Sequence, residues 1–192
     1  MVKLAAQIIS FFNILLTERR KEHIFAVRDF ALKLATVHGI DPIKVEIAAL
    51  SHDLFRDVPP DKLLKLATLW NLAIDDEEKT HPVLLHGKVA AEFIRRRLGI
   101  EDKSVLLAIS YHTSSHPDFD EIGKIVVVAD TIGYDRDFEG IVNLRKIAVK
   151  NLEEGYLAVL ENRIKYYIDT KRFILENTVK SWNKIIGRRM AR

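Results

Sequence analysis

Four histidines and two aspartates carry the chemistry available to this chain: His23, His52 with Asp53 directly after it, His86, His112 and Asp130. Imidazole nitrogens and carboxylate oxygens suit iron, manganese, cobalt, nickel or zinc, and ligand type alone does not choose among them. Six such groups exceed what one tetrahedral zinc requires, and the chain has no cysteine to compete for the role. The set can hold one ion, or two ions about 4 Å apart. A centre of that kind lowers the pKa of a bound water and draws charge from a phosphoryl oxygen, which is the chemistry of phosphoester or phosphoanhydride hydrolysis. No Ser-His-Asp or Cys-His nucleophile is needed, and no GxSxG segment is present.

A single histidine on an apolar helix face is usually a core residue with its own buried partner. Four of them would need four separate partners, so one shared centre is the simpler account. An anionic substrate also needs cations. Arg56 lies three residues after Asp53, and Arg136 follows Asp130 in ADTIGYDRDF, within reach of a phosphate. The competing reading of each is a surface arginine paired with a nearby acid, Asp57 or Asp137. His38, beside Gly39, reads as the end of a helix, and His81 and His116, beside prolines, read as loop residues.

The elements that must position these groups read as helices. His23, Val27, Phe30 and Leu34 share one helical row that stops at Gly39. Asp41-Pro42 opens a second helix to about Leu54, apolar nearly all round and therefore central. Pro59-Pro60-Asp61 breaks the chain and starts another, from Lys62 to Trp70. Thr80-His81-Pro82 opens a helix ending at Gly99, with Val83, His86, Ala90 and Ile94 on one side. Asp102 caps the next, which aligns Val105, Ile109 and His112, and Pro117 to Asp120 form a turn. Helices over about 143–150, 153–169 and from Thr178 complete the chain. The run KIVVVAD is ambiguous, because a short β-branched stretch also suits a buried strand. With no glycine-rich phosphate loop and no second clear strand to pair with, it is assigned as helix.

Length and composition fit one all-α unit: 192 residues, 48% apolar, five prolines and eight glycines. Residues 1–17 read as an amphipathic helix packed on the bundle, with more apolar surface than one side needs, so that joining two copies into a homodimer is open. Residues 18–192 read as a single domain. The basic start does not have a signal peptide's small-residue cleavage site, and no apolar run is long enough to span a membrane, so cytoplasm is the expected compartment. A net charge of +3 with 30% charged residues of both signs describes a solvated surface and not a nucleic-acid stripe. The basic end IIGRRMAR reads as a solvated terminus.

The residues and their order resemble the HD-domain superfamily of metal-dependent phosphohydrolases, whose His…His-Asp…Asp pattern is matched by His23, His52-Asp53 and Asp130. A closer resemblance is to its YqeK-type branch, the symmetrical bis(5′-nucleosyl)-tetraphosphatases. It runs from about Glu18 to Asn183, through RKEHIFAVRDFALKLA, AALSHDLFRD, LLHGKVAAE, LLAISYHTSSHP, KIVVVADTIGYDRDFEGIVNLRKIA and NTVKSWN. The resemblance implies an all-α HD-domain bundle that hydrolyses diadenosine tetraphosphate to two ADP. It implies that His23, His52, Asp53, His86, His112 and Asp130 hold metal, usually iron, or touch metal-bound water. Thr113 and Arg136 correspond to phosphate-contacting positions, and Arg56 to a basic substrate-binding position. In this scheme Asp53, His86, His112 and Arg136 carry catalysis, and whether His86 and His112 act as ligands or proton donors stays open.

Two departures bear on substrate choice. The branch reads HTTG where this chain has His112-Thr113-Ser114-Ser115, and Glu-Pro where it has Gly133-Tyr134. The expected activity is hydrolysis of dinucleoside polyphosphates. The alternatives are an HD hydrolase of another nucleotide, such as a nucleoside monophosphate or a cyclic dinucleotide, and a nucleotide-binding module without turnover.

Overall fold

The structure, a computed structural model, describes residues 2–191, and among these there is no strand. The helices in order are α1 (Val2–Ser10), α2 (Phe12–Leu15), α3 (Glu18–His38), α4 (Pro42–Ser51), α5 (Pro60–Leu69), α6 (Asp76–Thr80), α7 (His86–Leu98), α8 (Lys103–Tyr111), α9 (Glu121–Ile132), α10 (Ile141–Lys150), α11 (Leu152–Asp169) and α12 (Glu176–Met190). A 3-10 turn, Pro82–Leu85, precedes α7. Helices α3, α4, α7, α8 and α9 pack around a common core, and α10, α11 and α12 form a layer outside α9. The all-α bundle expected from the sequence is the architecture observed.

The core follows from the apolar faces. Helix α4 is buried nearly all round through Val45, Ile47, Ala48, Ala49 and Leu50. Helix α9 contains the KIVVVAD run, with Ile125, Val126, Val127, Val128 and Ala129 all fully buried. A helix buried on every side needs no amphipathic period, which is why this run also resembled a strand. Asp41, Asp102 and Asp120 accept backbone N–H groups at the starts of α4, α8 and α9, as capping side chains should.

Three boundaries differ from expectation. Helix α4 ends at Ser51 instead of near Leu54, and residues 52–57 continue in tight turns, with Leu54 N donating to Ser51 O and Arg56 N to Asp53 O. Helix α7 begins at His86, not at residue 80, because Pro82 starts the separate 3-10 turn. The N-terminal segment breaks at Phe11, and α1 packs against α4 with Ile8 and Phe12 buried. Ile14 stays 80% exposed on its outer side.

Candidate metal centre and its cavity

Each histidine of the predicted set lies where a helix begins or ends, or faces inward from its middle. His23 projects from the first turns of α3, His52 follows the last residue of α4, His86 opens α7, and His112 follows the last residue of α8. Asp53 continues the turn after α4, and Asp130 sits near the C-terminal end of α9. All six converge. His23, His52, Asp53, His86 and His112 are buried, and the Asp130 side chain is 17% exposed.

The two oxygens of Asp53 face opposite pairs of rings. Its Oδ2 lies 3.7 Å from both His23 Nε2 and His52 Nε2. Its Oδ1 lies 3.1 Å from His86 Nε2 and 3.4 Å from His112 Nε2. Asp130 Oδ1 completes the first side, 3.2 Å from His23 Nε2. The donor atoms of His23, His52 and Asp130 fall within 4.8 Å of one another, and so do those of His52, Asp53 and His112.

The rings are held from behind. His52 Nδ1 lies 2.7 Å from Ala49 O, His86 Nδ1 2.6 Å from Val83 O, and His112 Nδ1 2.8 Å from Ile109 O. A carbonyl only accepts, so each Nδ1 is the protonated nitrogen and each Nε2 presents a lone pair to the centre. His23 Nδ1 is 2.8 Å from Asp135 Oδ2, which fixes its ring in the same sense.

Three nitrogen lone pairs, the His23 ring and two carboxylates thus share one buried space. The Nε2 atoms of His23 and His52 are buried without a hydrogen-bond partner. Those of His86 and His112 stand 3.1 Å apart, lone pair against lone pair. Such a concentration of acceptors is costly without a cation or protons among them, and the donor set is one that divalent transition metals take. The residues therefore fit a metal ion.

Without an ion, the charges of the cluster balance among its own groups. Burial pushes His52 down to about 4, and His86 is lowered for the same reason. Burial also opposes charge on His23, but Asp130 and Asp135 outweigh it and lift its pKa to about 9. Burial opposes the charge on Asp53 and Asp130 too, yet the surrounding histidines hold both carboxyls well below the usual range.

The cluster meets a cavity of about 580 Å³ through His23, and the cavity is lined besides by Arg19, Arg20 and Arg136 with Glu22, Asp57 and Asp135. Arg136 lies on this wall, with Nη2 3.2 Å from Asp130 Oδ1 and Nε 3.9 Å from Asp135 Oδ2 rather than beside Asp137. Arg56 is half-buried and does not line the cavity. Its expected partner, Asp57, instead accepts from Thr17 and Arg20. Thr113 sits beside the cluster, its hydroxyl 3.2 Å from His112 Nε2 and its carbonyl bound by Arg163 at 2.6 Å. The remaining histidines stand apart: His38 bonds Ala148 O, His81 stacks on Phe173, and His116 packs between Tyr111 and Phe119.

Three residues went unread in the sequence. Arg20 NH1 contacts Asp53 Oδ2 at 2.5 Å, and its spacing of three from His23 placed it on the same helix face. Asp135 orients His23, and Arg145 binds the carbonyls of Ile132, Gly133 and Arg136, pinning the loop that carries Asp135 and Arg136. Nothing local in the sequence marks Arg145, since its partners are main-chain atoms.

The HD-domain family model matches residues 20–135, which holds every residue of the cluster. This chain belongs to the HD-domain family. Among the relatives of this HD-domain protein, one from Halalkalibacterium halodurans is 34% identical over 89% of this chain and 91% of its own length. One from Bacillus subtilis is 29% identical over 90% of this chain and 92% of its own length. Both are named symmetrical bis(5′-nucleosyl)-tetraphosphatase. A solved structure from Clostridium acetobutylicum, titled as a predicted HD superfamily hydrolase involved in NAD metabolism, superposes with a TM-score of 0.89 at 33% identity, covering 95% of this chain and 97% of its own.

Proposed function

We propose that this HD-domain protein is a metal-dependent phosphoric anhydride hydrolase that cuts dinucleoside polyphosphates, with diadenosine tetraphosphate giving two ADP. One observation carries the reading. A buried carboxylate, Asp53, directs its two oxygens at two pairs of histidines, one of which, His23, lines a cavity that also holds Arg19, Arg20 and Arg136. The relatives named for this reaction support the substrate class.

In this reading His23, His52, Asp53, His86, His112 and Asp130 hold the metal, with iron as the proposed ion. When bound, the ion supplies Lewis-acid charge at the phosphoryl group and makes water a better nucleophile at neutral pH. The chain's own groups do the rest. Arg20 and Arg136 have planar forks that match phosphate oxygens, and both already lie against cluster carboxylates. They bring the polyphosphate over the cluster and stabilise the charge that grows on it. Asp135 keeps the His23 ring turned inward, and the carbonyls of Ala49, Val83 and Ile109 do the same for the other three. Thr113, next to His112, contacts the departing phosphate, whereas Arg56, outside the cavity lining, has no contact role in this reading.

The test is incubation of the protein with diadenosine tetraphosphate and manganese, cobalt or iron. ADP as the sole product, with loss of turnover in His52→Ala, supports the proposal. An ATP and AMP pair, or equal inertness of wild type and variant, rejects it.

A further inference from the structure

A second cavity, of about 590 Å³, opens on the other side of the Asp135–Arg136 partition. The two cavities are nearly equal in volume and share those two residues. The cluster lies at their junction, with His23 in the wall of the first and Asp130 in the wall of the second. Their linings differ in kind. The first is polar, with Arg19, Arg20, Glu22 and Asp57 in its lining and Arg20 paired with Asp57. The second adds the aromatic rings of Tyr166 and Tyr167 together with Arg163 and Arg172.

The two added arginines are chemically available. Among the described residues neither Arg163 nor Arg172 is in an ion pair. Arg163 is fixed by Thr113 O and by Thr131 Oγ1 at 2.8 Å, and Arg172 lies over the Tyr166 ring at 5.4 Å. Asp130 and Asp135 face the second cavity too, but both are engaged by His23, so Asp137 is the carboxylate left to oppose the arginines. A flat ring beside unpaired guanidinium groups recognises a nucleobase joined to phosphates.

We propose that this second cavity binds one nucleoside diphosphate half of the substrate, its base on Tyr166 and its phosphates along Arg172 and Arg163, while the other half lies in the first cavity along Arg19 and Arg20. The inference rests on reading the chain as a dinucleoside polyphosphate hydrolase. It also explains a symmetrical cut. A ligand with two equal arms, laid through two cavities of nearly equal volume, presents its midpoint at their junction, where His23 and Asp130 stand.

The experiment is calorimetric titration of ADP into the metal-loaded full-length protein. Two ADP per chain are expected for wild type, and one for the double variant Tyr166→Ala, Arg172→Ala, whose unchanged helical circular dichroism and melting show that it folds. In turnover the same variant is expected to raise KM for diadenosine tetraphosphate on the order of tenfold, the loss of one stacked base, with kcat nearly unchanged. A single ADP on wild type, or two on the variant, overturns the proposal. Because ADP counting needs no catalysis, a wild type that leaves diadenosine tetraphosphate intact would reject the activity, while the stoichiometry still decides the second cavity.

Discussion

At the scale of single residues, the histidines make opposing demands on pH. His52 is held neutral by burial, with its pKa near 4, so below its unfolded value the unfolded chain binds a proton that the native one refuses. Stability conferred by His52 is therefore lost as pH falls from about 6.5 toward 4. His23 is the reverse. Its pKa of about 9 lies above the unfolded value, so the native chain binds the extra proton, and that stability is present below about 6.5 and lost as pH rises through 9. Each contribution is on the order of 3 kcal/mol. For chelator-treated protein, the urea midpoint is expected to peak near neutrality and fall on both sides, and His23→Gln should flatten the alkaline limb. A midpoint constant from pH 6.5 to 9 in wild type would contradict the assignment.

A second residue-scale prediction concerns Ser115, where the resembling branch has glycine. Ser115 is fully buried with φ of 66°, a left-handed conformation that costs a side-chain-bearing residue about 1 kcal/mol. Its hydroxyl meets the hydroxyl of Tyr156, which ties the turn after His112 to α11. Ser115→Gly should be near neutral, as relief of strain offsets the lost bond. Tyr156→Phe alone should cost about 1–2 kcal/mol by leaving the serine unpartnered. The double variant should be less destabilised than the sum, and strict additivity in denaturant unfolding would argue against the pair.

At the scale of elements, the site depends on how closely helices approach and where they stop. A Cβ on Gly87 would come within 2.7 Å of the carbonyl oxygens of Ile109 and Ser110, so α7 and α8 touch backbone to backbone beside His86 and His112. Gly87→Ala must push these helices apart and is expected to cost about 1–3 kcal/mol in urea unfolding, with weaker metal retention. An unchanged metal affinity would show that the His86–His112 spacing tolerates the shift. Arg145 acts through the α9–α10 loop. Arg145→Ala leaves the carbonyls of Ile132, Gly133 and Arg136 without their donor, and KM should rise more than kcat falls as Asp135 and Arg136 lose their placement. Loss of kcat alone would point elsewhere.

Element boundaries were also where sequence reading fell short. Helical rows put His23 and His112 on inward faces, because apolar spacing reports which side meets the core. The apolar pattern runs past the end of α4 at Ser51, because Leu54 and Phe55 stay buried in the turns that follow, and burial does not distinguish a helix from tight turns. Partners across the fold were not legible. Arg56 is close to Asp53 along the chain, whereas Arg20 reaches Asp53 through the α3–α4 packing.

At the scale of the whole molecule, the central claim is that five segments of the chain fold to create one ion site. A ligand that binds only the folded state stabilises it by mass action, about 2.7 kcal/mol at a hundredfold excess over Kd. The melting temperature should rise with added metal, and His52→Ala should lose that rise. The departures from the resembling branch leave this frame intact. Gly133 and Tyr134 replace an acid near Arg136, but Asp135 stands close to the same guanidinium and to His23.

The most direct test is anomalous diffraction from crystals of the protein soaked in iron or manganese. The account predicts a strong peak between Asp53 and the Nε2 atoms of His23 and His52, with Asp130 beside it. Saturating metal that leaves this space without a peak, while the four rings keep their inward orientation, would contradict it.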